Sequence, residues 1–399
     1  MIADGLRVSP RPPSRGSIKA NSRRPFELNL SARLRSTGCS RNVALAKAAL
    51  MHRITIESSS ATIVVAVLVL VGLVLNAPCA MRLGADAGQA GRGNTNPEIP
   101  TLAYKLVEWP TSPTTAAGAP GAWNFIQVAS VAVARQGRIL VLHRGAHPVI
   151  EFMSDGMFIR SWGDGLFSEG KVAAISEAYW SADKSHYSAV YGAAGCASCG
   201  AHSVRLDPQG NIWVVDAPGQ IVYKLNPEAR ETMRLGTKGV AGGDAHHFNL
   251  PTDVAFAPNG DVYVTDGYGG VRIVKYARDG TYLLQWGRRG TGPGEFGLPH
   301  NVVVDSQGRV YVTDRDNQRI EVFDSNGTFL SQWTGTGGVS GLAMTKDQHI
   351  WTGGILRSLD GTALGKLPGN PGGHGVAVAD SGDVYIAQLS GVVQKFVKQ

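Results

Sequence analysis

Three histidines share one register in this sequence. His202, His300 and His374 each stand eight residues before a glycine (Gly210, Gly308 and Gly382) that reads as the turn of a hairpin. The same register holds Ala129 before Gly137, Thr252 before Gly260 and Ser340 before Gln348, so histidine fills every second of six units. In a six-fold ring alternate units stand about 120° apart, and three imidazoles so placed converge on the central channel. Three imidazoles with a fourth position open are the donor set of a catalytic zinc site. With 10 histidines in 399 residues, three hits in six slots arise by chance about 3 times in 10,000, and on the order of 1% of the time once the choice of register is allowed for. The alternative is that each histidine fills the channel mouth and hydrogen-bonds a neighbouring unit. His246 and His247 lie outside the pattern and read as a surface loop pair.

A second register adds chemistry. Seven residues past the turn stand Arg144 in the first unit and Arg315 in the fourth, and eight past it stands Tyr268 in the third. If the strand after the turn returns antiparallel, these side chains end on the same rim as the histidines. Two guanidiniums suit a small carboxylate, which they grip in bidentate fashion. Their positive field, with that of a metal cation, makes the tyrosine a more accessible base. The competing reading of Arg315 is a surface ion pair with Asp316.

The elements that must hold these residues are legible between Pro251 and Phe323. The segment 252–266 (TDVAFAPNGDVYVTD) and the segment 300–314 (HNVVVDSQGRVYVTD) are near-copies, each an apolar run, a turn and a second apolar run. An aromatic strand follows, ending near Trp286 or Trp333. This is the pattern of antiparallel strands joined by tight turns, and repetition at about 50 residues is a propeller signature. The expected fold is all-β, a six-bladed β-propeller over residues 101–399. Its last unit lacks a fourth strand, and Tyr104–Trp109 (YKLVEW), which resembles the outer strand YLLQW of 282–286, is expected to close the ring and remove the unpaired edge.

Charge and composition narrow the function. The net charge is +7, but residues 1–53 carry eleven Lys/Arg against Asp4 and Glu27, which is +9 and leaves −2 for the rest. The propeller is not basic, which argues against nucleic acid as a partner. Residues 1–60 read as a basic leader, 61–80 as the apolar core of a signal peptide with its small-residue flank, and 81–100 as a flexible linker. Met51 as a start would give a signal of ordinary length. The run Ala61–Leu75 is short of the ~20 residues that span a bilayer, so export to the periplasm or exterior is expected, with an uncleaved membrane anchor as the alternative. Cys39 and Cys79 fall in the leader, while Cys196 and Cys199 lie in an insertion over about 163–201 and read as a local disulfide in an exported protein.

Several of these motifs together resemble peptidyl-α-hydroxyglycine α-amidating lyase, the second catalytic module of peptidylglycine α-amidating monooxygenase. They are His143-Arg144-Gly145, Pro251-Thr252-Asp253-Val254-Ala255, Asp266-Gly267-Tyr268, Gln285-Trp286-Gly287, Pro299-His300 and Asp314-Arg315-Asp316-Asn317. The likeness covers about 125–399. It implies an NHL-repeat propeller with zinc on His202, His300 and His374 and catalytic roles for Arg144, Tyr268 and Arg315. The chain departs from the family at Gly375, where an aspartate tied to a structural calcium and to activity would follow the third zinc histidine. Restoring that acid with Gly375→Asp is expected to raise activity or calcium binding if its loss limits the enzyme. No hydroxylase module precedes the propeller in this sequence, so the resemblance implies a substrate supplied by another protein.

The expected activity is therefore metal-dependent carbon–nitrogen lysis of a peptidyl- or N-acyl-α-hydroxyglycine to an amide and glyoxylate. Two alternatives stand beside it. One is a metal-dependent ester or lactone hydrolase, which needs a base for its water. The other is an NHL-type protein-binding propeller without catalysis.

Overall fold

The computed structural model describes residues 98–110, 125–145, 147–168 and 200–399. The leader, the apolar run, nearly all of the linker and the Cys196/Cys199 pair lie outside the described residues. No helix among those described is long and apolar enough to cross a membrane.

After a first strand β1 (Tyr104–Val107), the chain runs through five four-stranded antiparallel blades in simple order. Blade 1 is β2 (Val128–Val133), β3 (Ile139–His143), β4 (Val149–Phe152) and β5 (Phe158–Trp162). Blade 2 is β6 (Ala201–Leu206), β7 (Ile212–Asp216), β8 (Ile221–Leu225) and β9 (Glu231–Gly236). Blade 3 is β10 (Asp253–Phe256), β11 (Val262–Asp266), β12 (Arg272–Tyr276) and β13 (Tyr282–Trp286). Blade 4 is β14 (Pro299–Val304), β15 (Val310–Asp314), β16 (Arg319–Phe323) and β17 (Phe329–Thr334). Blade 5 is β18 (Leu342–Met344), β19 (Ile350–Thr352), β20 (Ile355–Arg357) and β21 (Ala363–Lys366). Blade 6 contains β22 (Gly375–Val378), β23 (Val384–Gln388) and β24 (Val392–Lys398), and β1 pairs antiparallel with β24, Tyr104 opposite Lys398 and Val107 opposite Lys395.

The first strand of each blade packs on the first strand of the next, from β2 through β6, β10, β14 and β18 to β22, and β22 returns to β2. The fold is thus a six-bladed ring. Hydrophobic burial is distributed in the same way, as six wedges that each lie between neighbouring blades. One wedge places Trp213, Val215 and Val222 of blade 2 against Val254, Val262 and Val264 of blade 3. Another places Val131 and Phe152 of blade 1 against Tyr385 and Ala387 of blade 6. At about 1.5–3 kcal/mol for each fully buried aliphatic side chain, these wedges are the main force holding the blades in register.

The turn after each first strand sets the register of everything that follows. Gly210, Gly260, Gly308 and Gly382 take φ of 91°, 92°, 81° and 89°, in the left-handed region where glycine has no steric cost. Gln348 takes the same conformation at φ 61°, so the fifth blade keeps the turn geometry without the glycine.

Candidate metal centre

The histidine register lies at the start of the first strands, and backbone irregularities aim its side chains. Pairing of β6 with β7 slips between Ala201 and Ser203, and pairing of β14 with β15 slips between Pro299 and Val302, so His202 and His300 both sit in β-bulges. A bulge re-aims the side chain it carries. His374 immediately precedes β22. The result is a cluster in which one ring nitrogen of each histidine lies within 4.8 Å of the others, and the rings stand 4.8 to 4.9 Å apart, edge to face. All three are buried, His374 the most exposed at 8%.

The second ring nitrogen of each histidine makes the same kind of bond. His202 Nδ1 lies 2.5 Å from the carbonyl oxygen of Thr252, His300 Nδ1 lies 3.0 Å from that of Ser340, and His374 Nδ1 lies 2.6 Å from that of Ala129. Thr252, Ser340 and Ala129 are the residues of the same register in the next blade round the ring. A carbonyl oxygen only accepts, so each Nδ1 carries the proton and each Nε2 keeps its lone pair. This tautomer is the one a metal ligand needs, held by a backbone carbonyl as metal-binding histidines commonly are.

Electrostatics favour the same state. Burial, followed by the neighbouring imidazoles and Arg144, holds His202 well below the ordinary imidazole range. Burial, then His300, Arg144 and Arg315, does the same for His374. Burial, then Arg315 and Arg144, brings His300 down to about 3. At neutral pH all three present neutral nitrogen donors. The cluster is therefore able to bind a metal ion.

The predicted rim residues come to the same place. The hydroxyl of Tyr268, which is buried, lies 3.0 Å from His202 Nε2 and 3.3 Å from His300 Nε2. The guanidinium of Arg315 stands 5.9 Å from the centre of the Tyr268 ring, with Nε donating to Asp316 at 3.2 Å. The surface ion pair considered for Arg315 thus exists alongside its placement at the site. Arg144 is buried, and its Nε donates to the Ala201 carbonyl at 3.2 Å while Nη1 donates to Gln127 Oε1 at 3.1 Å.

Local structure explains why these side chains hold their positions. Asp266 ends β11 and accepts from the amide of Asn249 at 2.6 Å and from Arg272 at 2.9 Å. Asp314 ends β15 and accepts from the amides of Gly297 and Leu298 and from Arg319. These carboxylates pin the turns that carry Tyr268 and Arg315. Blade 1 has His143 in that slot. Its Nδ1 accepts from the amides of Ile126 and Gly145, both at 3.3 Å, so an imidazole does beside Arg144 what aspartate does elsewhere. That role was not apparent from the sequence, where His143 appears only as the neighbour of Arg144. The pair His246 and His247 lies away from the cluster, with His247 bonded to Asp244 at 2.8 Å.

The structure corrects the expectation attached to Gly375. A Cβ at this position would stand 2.9 Å from the Cα of Ser130 and 3.2 Å from the Ala129 oxygen. Both are backbone atoms of the next blade and cannot swing aside. Gly375→Asp therefore has no room, and a simple gain of activity or of calcium does not follow from it. The residues in this layer do not fit calcium, which takes six to eight oxygen ligands. Their carboxylate, Asp253, is already engaged by Arg205, Asn301 and the amide of Val302.

Comparison with known proteins agrees with this architecture. The NHL repeat model matches residues 248–276 and 296–323, within blades 3 and 4 and the loops that precede them. The peptidyl-glycine alpha-amidating monooxygenase of Mus musculus is 31% identical over 253 residues, covering 60% of this chain and 24% of that protein. A Caenorhabditis elegans protein named as a peptidyl-alpha-hydroxyglycine alpha-amidating lyase is 31% identical over 205 residues, covering 50% of this chain and 56% of its own length. NHL repeat-containing protein 3 of Homo sapiens is 29% identical over 208 residues, covering 49% of this chain and 52% of that protein. The chain thus spans about a quarter of the mouse protein and about half of each of the other two. It is a six-bladed NHL-repeat propeller whose relatives include proteins named as peptidyl-α-hydroxyglycine amidating lyases.

Proposed function

We propose that this protein is a metal-dependent lyase that splits a peptidyl- or N-acyl-α-hydroxyglycine into the corresponding amide and glyoxylate. The observation that carries the reading is the threefold arrangement of His202, His300 and His374, with every Nδ1–H anchored and the Tyr268 hydroxyl against two of the Nε2 atoms. The relatives named as amidating lyases support it.

A zinc or similar divalent ion held by the three Nε2 atoms would supply a Lewis acid that makes a bound hydroxyl more acidic. The rest of the work falls to side chains. In the reaction the hydroxyl O–H and the Cα–N bond break, a carbonyl forms on Cα, and the proton ends on the departing amide nitrogen. Tyr268, in its phenolate form, would take that proton from the hydroxyl and, as the phenol so formed, return it to the nitrogen. Arg315, nearer the mouth with 19% of its side chain exposed, is placed to hold the carboxylate that leaves as glyoxylate. Arg144, deeper and tied to Ala201 and Gln127, adds fixed positive charge where the substrate is negative. A hydrolase reading needs a carboxylate to activate water, and Asp253 is committed to Arg205.

The binding-propeller alternative is favoured by one specific observation, the similarity to NHL repeat-containing protein 3. Metal analysis of the purified protein, followed by a glyoxylate-release assay on an N-acyl-α-hydroxyglycine, separates the readings. Stoichiometric metal with glyoxylate release is the expected result; metal without release, or no metal, assigns the propeller to binding. The apolar run at 61–75 with its basic flank supports export, so on this reading the substrate is met outside the cytoplasm.

A further inference from the structure

Directly beneath the histidines, the next register of the first strands reads Ser130, Ser203, Asp253, Asn301, Gly341 and Gly375. Four of the six are too small to fill a channel. The space is crossed by Arg205 of blade 2, whose guanidinium grips Asp253 of blade 3 through Nε at 2.9 Å and Nη2 at 2.6 Å. Its Nη1 reaches the Leu342 carbonyl of blade 5 at 3.1 Å. One side chain therefore ties three blades together at the axis.

The chain of bonds continues upward. Asp253 Oδ2 accepts from Asn301 Nδ2 at 2.6 Å and from the Val302 amide at 3.2 Å. A carboxylate accepts only, so the amide of Asn301 is fixed with its NH2 toward Asp253 and its oxygen the other way. That oxygen lies 2.8 Å from His300 Nδ1. His300 thus has a side-chain acceptor in addition to the Ser340 carbonyl, whereas the Nδ1 acceptors of His202 and His374 are backbone carbonyls.

We propose that Arg205, Asp253 and Asn301 form a positioning relay that fixes the tautomer and orientation of His300 from below. The inference rests on the metal-binding reading of the cluster and is independent of the reaction catalysed. Outer partners of this kind typically change metal affinity 10–100-fold. Arg205 provides the opposing charge that keeps Asp253 an acceptor in a buried layer, where an unpaired carboxylate would be costly.

The test compares Asn301→Leu, which keeps the branched outline of the side chain and removes both its bonds, with Thr313→Val. The Thr313 hydroxyl accepts from the backbone N–H of Asn301 at 2.8 Å, so this control disturbs the same buried strand pair while leaving the side-chain bonds of the relay in place. Zinc affinity is measured by chelator competition, and the visible spectrum is recorded with cobalt(II) in place of zinc. The expected result is a 10–100-fold loss of zinc affinity and an altered cobalt spectrum in Asn301→Leu, with both within threefold of the unaltered protein in Thr313→Val. Equal affinity and an unchanged spectrum in Asn301→Leu overturn the relay. Failure of the unaltered protein to bind zinc overturns the metal reading instead. Should Asn301→Leu not fold, the metal-free unaltered protein decides by nitrogen-edited NMR. The relay requires the His300 Nδ1–H to be slow to exchange without metal, and a fast-exchanging proton refutes it.

Discussion

The imidazole of His374, in the last blade, donates to the carbonyl oxygen of Ala129, in the first, across 2.6 Å. The two residues are 245 positions apart in the chain, so one of the three proposed ligands takes its orientation only when the ring is closed. An ion held by the three histidines would be linked to ring closure through this bond, because a ligand that binds the closed ring stabilises it.

The first prediction follows from that linkage. Zinc at a hundred times its dissociation constant should stabilise the fold by about 2.7 kcal/mol, raising Tm, and chelation should reverse the gain. His202→Ala, His300→Ala or His374→Ala should each abolish the effect and cut metal occupancy severely. Full occupancy in all three variants would falsify the site.

In the metal-free protein the same histidines should make the fold acid-sensitive. Their pKa values are lowered in the folded state, His300 to about 3, chiefly by burial. Between that value and the ordinary ~6.5 the unfolded chain binds more protons than the folded one, so stability must fall as pH drops through this window. Urea midpoints measured from pH 7 to 4 should decline more steeply than those of the His202→Ala variant. Parallel curves would mean that His202 is not buried and neutral.

Ring closure is tested at the other end of the chain. Tyr104 to Val107 pair with β24, Tyr104 stacks edge-on against Trp351 at 5.8 Å, and Trp109 packs on Phe152 and Tyr385. The segment thus touches the wedges on both sides of blade 6. Deleting residues 101–110 should lower Tm sharply, since it uncovers a strand edge and opens two apolar interfaces. An unchanged melting curve would show that the ring closes without it.

Much of this was legible because a propeller repeats its register. One turn position located six blades, three histidines and both arginines, and Gln348 could be placed because its neighbours kept the spacing. The relay was harder to see. Asp253 and Asn301 stand one position past the histidine register and differ in type from Ser130, Ser203, Gly341 and Gly375, but nothing in their spacing reveals that Asp253 has a partner 48 residues away in Arg205. The close approach of Gly375 to Ser130 is likewise a property of how two blades meet, so an expectation drawn from the family resemblance did not contain it. Gly375→Asp should destabilise the protein and add neither activity nor calcium binding; an active, calcium-dependent variant would show that the blades can move apart at this point.

The last prediction concerns the reacting groups. Tyr268 touches the Nε2 side of two histidines, and Arg315 stands over its ring, so the two residues can be separated kinetically. If Tyr268 moves the proton, Tyr268→Phe should lower kcat by the 10²–10⁴ typical of a lost acid–base group while KM stays within a few-fold. Zinc occupancy should be retained, because the ring still fills its place and only the hydroxyl is gone. Arg315→Ala should instead raise KM as well, since the substrate carboxylate loses its bidentate partner, and a substrate lacking that carboxylate should be nearly indifferent to the change. Arg144→Ala should differ from both. This guanidinium is buried and bonded to Ala201 and Gln127, so its removal should lower Tm in addition to activity. Undiminished glyoxylate release by Tyr268→Phe would rule out the tyrosine as the proton carrier, and equal effects of Arg315→Ala on substrates with and without the carboxylate would remove Arg315 as its anchor.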